Sequence, residues 1–426
     1  MQPHRSDLDG SADAAVAGLA PARRGSRSRR PQTVLMYAQD SRGLGHINRT
    51  LSIARHLLAA HPALVAYIAT KSSIADMFTL PPRCDYIKLP TRLTPATLPL
   101  TAEEEEAARE RFRRIRGRLL CDAALGLAPD LVVVDHEPLG AAGEFREGLY
   151  ALKARCHDTS FVCGLRDIMD DPVRTRARWR DLGVYHAFEN VYDAIAVYGS
   201  SRLYDVARAY DIPASVWPKL EYCGYVIRGL PSEDPGALRR QHGLPPSGPL
   251  VLATVGSGSD GYPVLAATLA AMRRLRTRFP TLLGIMVTGP FMPCAEQARL
   301  RASAPLGCCV LGTADTLQLM AAADAIVSMG GYNSVCEALA VGRPLVIVPR
   351  ATHKIEQQIR AETLAAHGLA RWVHPEALES PELAAALEWA LTCDRRAHER
   401  RVREIIPTFD GAARMTTYLS RWLNGR

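Results

Sequence analysis

Three times along this chain a short apolar run breaks on a glycine turn and is followed at once by residues at helical spacing. That recurrence restricts the fold more than any other feature. The fullest case begins at Ala325 to Ser328, turns at Gly330-Gly331, and continues from Tyr332 to Val341 with apolar residues on one helical face. Thr33 to Ala38 runs likewise into Gly43-Leu44-Gly45-His46 before a helix near Asn48, and Pro249 to Thr254 runs into Gly256-Ser257-Gly258. Further strand candidates stand at Leu64 to Ala69, Leu131 to Val134, Phe161 to Leu165, Ala194 to Tyr198 and Leu282 to Thr288. Strands alternating with helices in this way predict an α/β fold with doubly wound parallel sheets. A chain of 426 residues is too long for one ordinary core, so two Rossmann-like domains facing a cleft are expected. The polar stretch from Arg228 to Pro235 reads as the link between them.

A strand-to-helix glycine turn gathers backbone N–H groups at the positive end of a helix, where a diphosphate can sit without a metal. Gly330, Gly331, Asn333 and Ser334 form such a place, and Glu337 lies within two turns, in reach of the paired hydroxyls of a ribose. Arg343-Pro344 opens a second buried strand, Leu345 to Val348, and beyond it come His353, Lys354, Glu356, Gln357 and Gln358. Ligands of open α/β sheets bind at that carboxyl edge. Taken together, these residues read as a nucleotide-sugar site. Gly312 and Thr313 are candidates for nucleobase contact through the backbone.

The spacing at Gly43 to His46 lacks the third glycine of a dinucleotide fingerprint, which sets a nicotinamide enzyme aside. His46 suits a general base, with phosphate binding or bracing of its loop as the other role. Asp135 ends a strand, where it can orient His46 or act as the base itself; His136, Arg166 and Asp167 lie at comparable strand ends.

The net charge of +8 suits anionic nucleotide-sugars and also an anionic membrane surface. Residues 1–31 are rich in Ala, Arg and Ser and read as a disordered basic leader, with a solvated tail favoured over nucleic-acid binding. The segment 100–120 is a highly charged helix whose face is laced by ion pairs. No apolar run is long enough to span a membrane. The 10 cysteines show no C-x-x-C pair, which argues against a zinc module and for a reducing cytoplasm, with Cys121, Cys163, Cys223 and Cys336 expected in the core. The sole Asp-x-Asp triplet, Asp7-Leu8-Asp9, falls in the leader, so no metal site is expected.

The stretch from Ser328 to Gln358, together with Gly43, Gly45 and His46, resembles glycosyltransferases of the B-type fold (GT-B), and within them the MurG-like, family 28 group. The resemblance implies a turn at Gly330 and Gly331, a ribose acid at Glu337, and donor-sugar contacts from His353, Lys354, Gln357 and Gln358. It implies that Gly256, Ser257 and Gly258 contact the donor diphosphate, and that Gly43, Gly45 and His46 form a loop opposite the donor. The expected organisation is an acceptor-side domain over 32–227, a donor domain over 228–408, and a final helix over 409–426 packing back on the first domain. The implied reaction moves a hexose or N-acetylhexosamine from a nucleoside-diphosphate sugar to an acceptor hydroxyl, without cofactor or metal and with inversion. A small-molecule or lipid-linked acceptor is expected, and the expected place is the cytoplasm, with the inner face of the membrane as the alternative. Two other readings share these residues: a non-hydrolysing UDP-N-acetylglucosamine 2-epimerase, and a nucleotide-sugar binder without turnover.

Overall fold

A computed structural model describes residues 31–39, 45–72, 78–91, 100–350, 355–379 and 381–424. Residues 1–30, most of the expected leader, lie outside that set. The first sheet contains β1 (Gln32–Ala38), β2 (Leu64–Thr70), β3 (Cys84–Lys88), β4 (Leu131–Asp135), β5 (Ser160–Arg166), β6 (Ala194–Tyr198) and β7 (Leu220–Tyr222). The second contains β8 (Leu250–Thr254), β9 (Leu283–Val287), β10 (Cys308–Leu311), β11 (Ala325–Ser328), β12 (Leu345–Ile347) and β13 (Arg371–Trp372). Every pairing is parallel. The orders are β3-β2-β1-β4-β5-β6-β7 and β10-β9-β8-β11-β12-β13, so each sheet grows outward in both directions from its first strand.

The central strands are buried along their whole length, as β4, β6 and β8 show. Such strands must be apolar on both faces, because helices cover both. On the helix Gly45–Ala60, Ile47, Leu51, Ala54 and Leu58 form the core-facing stripe, and all are buried. The charged helix Ala102–Leu127 starts with a capping box between Thr101 and Glu104. Its surface pairs Arg109 with Glu105 at 2.8 Å and Arg113 with Glu110 at 2.7 Å. Cys163, Cys223 and Cys336 are buried as expected, whereas Cys121 is only half-buried; it sits on that solvated helix, where only a narrow stripe reaches the core.

The chain crosses between the sheets twice, and the two crossings touch. Val226 forms a bridge with Asp410, and the Gly411 N–H donates to the Tyr225 carbonyl at 3.0 Å. The last helix, Gly411–Asn424, then lies against the helix Gly45–Ala60. Met415, Leu419 and Leu423 are buried there, Gln32 Nε2 donates to the Leu423 carbonyl at 3.0 Å, and Ser420 Oγ lies 2.7 Å from His61 Nε2.

One turn shows how tightly the site's frame is drawn. Gly258 has φ +91°, and a Cβ there would lie 1.9 Å from the Thr288 carbonyl oxygen. Gly258→Ala is therefore expected to destabilise the protein by more than about 1 kcal/mol, read as a lower midpoint in urea denaturation.

Candidate active site

In the first sheet the strand order reverses between β1 and β4, and in the second between β8 and β11. Loops leaving neighbouring strands at such a point diverge and open a crevice at the carboxyl edge. Gly45 and His46 follow β1, Asp135 ends β4, Gly256 to Gly258 follow β8, and Gly330-Gly331 follow β11. The two crevices face each other across one cavity of about 510 Å³, lined from both sheets. That volume is in the range of small-molecule sites.

The wall from the first sheet carries a hydrogen-bonded pair. His46 Nδ1 lies 2.7 Å from Asp135 Oδ2, and Asp135 is almost wholly buried. Arg49 grips the same carboxylate with Nε on Oδ1 at 2.9 Å and Nη2 on Oδ2 at 2.7 Å. Burial raises the Asp135 carboxyl, but the Arg49 charge and the His46 hydrogen bond outweigh it and hold it at about 2. An ionised Asp135 can only accept, so His46 Nδ1 is the nitrogen that carries a proton toward it. Both Asp135 oxygens are thus engaged, Oδ1 by Arg49 and Oδ2 by Arg49 and His46. His136 packs beside them, its ring centroid 5.0 Å from that of His46. Burial, followed by the charge of Arg166, pushes the His136 imidazole well below its usual range. It is therefore neutral, and Arg166 Nη2 lies 2.9 Å from its Nε2.

The opposite wall is the glycine turn and the helix Tyr332–Ala340. Gly330 has φ +81°, and a Cβ there would meet Ile347 at 2.9 Å, so the turn closes against β12. Gly331, at the N-cap, supplies no capping side chain, and Gly331, Asn333 and Ser334 line the cavity. Asn333 Nδ2 reaches toward the Gly45 carbonyl at 3.5 Å, across to the first wall. Gly256 and Ser257 line the cavity on one side of it, and Glu356 and Gln357 on the other.

Among the described residues four arginines line this cavity, and each meets a carboxylate. Arg49 holds Asp135. Arg166 forms a two-pronged bridge to Glu356 at 2.7 and 3.0 Å, joining the end of β5 to the helix Glu356–Ala366 of the second half. Arg228 meets Glu337 at 2.8 and 3.3 Å and Asp315 at 3.4 Å, and Arg350 pairs with Asp260. Arg228 and Arg350 are about two-fifths exposed, and ion pairs of that exposure contribute little to stability.

Several expected site residues take other positions. Gly258 and Gly330 shape their turns from behind and do not line the cavity. Gln358 also stays off it, because the helix rotates its amide outward to donate to Glu362 at 2.9 Å. Gly43, His353 and Lys354 lie outside the described residues. Sequence reading overlooked Arg49, whose signal was its position one helical turn after His46. It also passed over Arg228, whose partner Glu337 is 109 residues away, so no local pattern marked it. Among the described residues no group of three or more His, Cys, Asp or Glu side chains could hold a metal ion, and no helix is long and apolar enough to cross a membrane.

Residues 313–405 match the glycosyltransferase family 28 C-terminal domain. This segment is a family 28 domain. It contains the Gly330-Gly331 turn, Glu337 and the helix beginning at Glu356, that is, most of the second wall. An uncharacterized glycosyltransferase of Methanopyrus kandleri is 26% identical over 214 residues, 47% of this chain and 58% of that relative. The chain thus matches little more than half the relative's length. Among solved structures, CalG4, the calicheamicin glycosyltransferase, has a TM-score of 0.64 at 19% identity, covering 93% of this chain and 99% of its own. MurG of Acinetobacter baumannii has a TM-score of 0.56 at 17% identity, covering 92% and 100%. The fold around the family 28 domain is that of the B-type glycosyltransferases, MurG among them.

Proposed function

We propose that the chain is a glycosyltransferase that moves a sugar from a nucleoside-diphosphate donor to an acceptor hydroxyl by a single inverting displacement. The observation that carries this reading is the pairing of two switch-point crevices across one cavity, a His–Asp pair on one wall and a family 28 glycine turn with its acid on the other. The acceptor hydroxyl gives its proton to His46 Nε2 as its oxygen attacks the anomeric carbon. The bond from that carbon to the diphosphate oxygen breaks, and its electron pair leaves with the phosphate.

Charge growing on that diphosphate is met by the backbone N–H groups of Gly256 and Ser257 and the helix end at Gly331 to Ser334. Arg228 adds its charge by leaving Glu337, which frees that carboxylate for the ribose hydroxyls. Gln357 and Thr313 both line the cavity, and in this reading Gln357 contacts the sugar and Thr313 the nucleobase. With these groups in place the transfer needs no cofactor and no metal. The acceptor is a small molecule or a lipid-linked alcohol entering from the first wall.

Binding tests the donor half of this reading. Thermal shift with a panel of UDP-, dTDP- and GDP-sugars is expected to single out one nucleotide. Glu337→Ala is expected to weaken that nucleotide about 10- to 100-fold, the worth of charge-assisted hydrogen bonds. If no nucleotide stabilises the protein, or if Glu337→Ala binds as tightly as wild type, the donor site is wrongly placed.

A further inference from the structure

Arg49 touches both members of the His46–Asp135 pair and both halves of the molecule. It lies one helical turn after His46, so the two side chains leave the helix Gly45–Ala60 on the same face. Its side chain is 1% exposed. Its fork takes both Asp135 oxygens, and its Nη2 lies 3.0 Å from His46 Nδ1. The guanidinium also lies over two aromatic rings, 5.0 Å from the Tyr198 centroid and 5.2 Å from that of Tyr332. Tyr198 ends β6 in the first sheet. Tyr332 is the first helical residue after the Gly330-Gly331 turn in the second, and its hydroxyl lies 3.2 Å from the Tyr198 carbonyl.

We propose that Arg49 is a positioning residue that sets the proton-accepting face of His46 through Asp135, and that this setting is made only when Tyr332 of the donor half closes on it. The carboxylate has limited freedom once a fork occupies both oxygens: the remaining direction on Oδ2 points at His46 Nδ1. A lysine retains charge but has no fork and cannot hold that direction. A cation over two rings loses part of its stabilisation when either ring is withdrawn, so the arrangement of the base depends on the approach of the second wall. The other titratable groups around Asp135 are the Tyr198 hydroxyl, the Cys163 thiol and the neutral His136, with the Arg166 charge behind His136. None of these reaches the carboxylate with a fork.

This inference rests on the proposed role of His46 as base, and its test separates the two. The tautomer of His46 is read from long-range ¹H–¹⁵N correlations of the ¹⁵N-histidine-labelled protein, assigned by difference from His46→Gln. Wild type is expected to show a fixed Nδ1–H tautomer. Arg49→Lys and Tyr332→Leu are expected to lose it while staying folded by circular dichroism, and Tyr332→Phe, which keeps the ring, to retain it. With the sugar nucleotide found by thermal shift, Arg49→Lys is expected to lower kcat about 100-fold, the cost of misplacing a catalytic group by about 1 Å, with donor KM nearly unchanged. A folded Arg49→Lys that keeps the tautomer and the wild-type kcat overturns the inference, as does a loss that appears only in KM. If wild type turns over no sugar nucleotide, the proposed function fails while the tautomer still decides the role of Arg49.

Discussion

Replacing His46 by glutamine is expected to lower kcat for sugar transfer by about 10²–10⁴-fold, the usual worth of a positioned general base, with little change in donor binding. Glutamine keeps a polar group of similar length at the cavity wall but has no lone pair basic enough to take the acceptor's proton. Because His46 lies on the wall opposite Glu337 and Gly331, the loss should fall on kcat and leave the nucleotide-induced thermal shift intact. A variant as fast as wild type would show that His46 only braces its loop. One that loses the thermal shift would place it on the phosphate.

Asp135→Asn has a second large effect, on rate and stability together. The amide can donate to His46 Nδ1 and so favours the opposite tautomer, which puts the proton on Nε2 where the base is needed. A fall of about 10³-fold or more in kcat is expected from that reversal. The same change leaves the Arg49 guanidinium buried without its counter-charge, at a cost of about 3–5 kcal/mol in chemical denaturation. In wild type, the Asp135 carboxyl is held at about 2, below the ordinary 3.8. The unfolded chain therefore binds more protons than the folded one between those values. The stabilisation is complete above about pH 4, amounts to about 2 kcal/mol, and is lost as pH falls toward 2. Asp135→Asn removes this part of the acid limb, which a urea series at several pH values resolves. An unchanged acid limb in the variant would mean that Arg49 does not hold the carboxylate.

Much of the fold was legible because the buried strands of a parallel sheet are apolar on both faces. Gln32–Ala38, Leu131–Asp135, Ala194–Tyr198, Leu250–Thr254 and Ala325–Ser328 all announce themselves as apolar runs. The strands that sequence reading missed are Cys84–Lys88, Leu220–Tyr222, Cys308–Leu311 and Arg371–Trp372, and each lies at the edge of its sheet. An edge strand is half-covered, so its residues alternate or are polar, and the run disappears. The glycine turns were legible for a related reason. A chain passing at once from a buried strand into a helix needs positive φ or a close backbone approach, and Gly256, Gly258 and Gly330 have positive φ.

The candidate site was legible where its residues are local to a turn. Gly331, Asn333, Ser334 and Glu337 share one turn and helix, and His46 and Asp135 each stand at the end of a strand. What could not be read were the partners supplied from elsewhere in the chain. Arg166 with Glu356 spans 190 residues, and Arg228 with Glu337 spans 109. Arg49 resembles any other charged residue on a surface helix until β4 and Tyr332 bury it. Such pairings follow from the strand order, which places the ends of β1 and β4 side by side, and not from any local pattern.

The most direct test of transfer itself is release of nucleoside diphosphate from a sugar nucleotide in the presence of EDTA, followed with the sugar's fate by ¹H NMR, for wild type and His46→Gln in parallel. Slow release by wild type without acceptor, acceleration when an acceptor alcohol is added, and a loss of both in His46→Gln are expected. A sugar that stays linked to its nucleotide, whether intact or converted to an epimer, or a release rate equal in the two proteins, would contradict a transferase that uses His46 as its base.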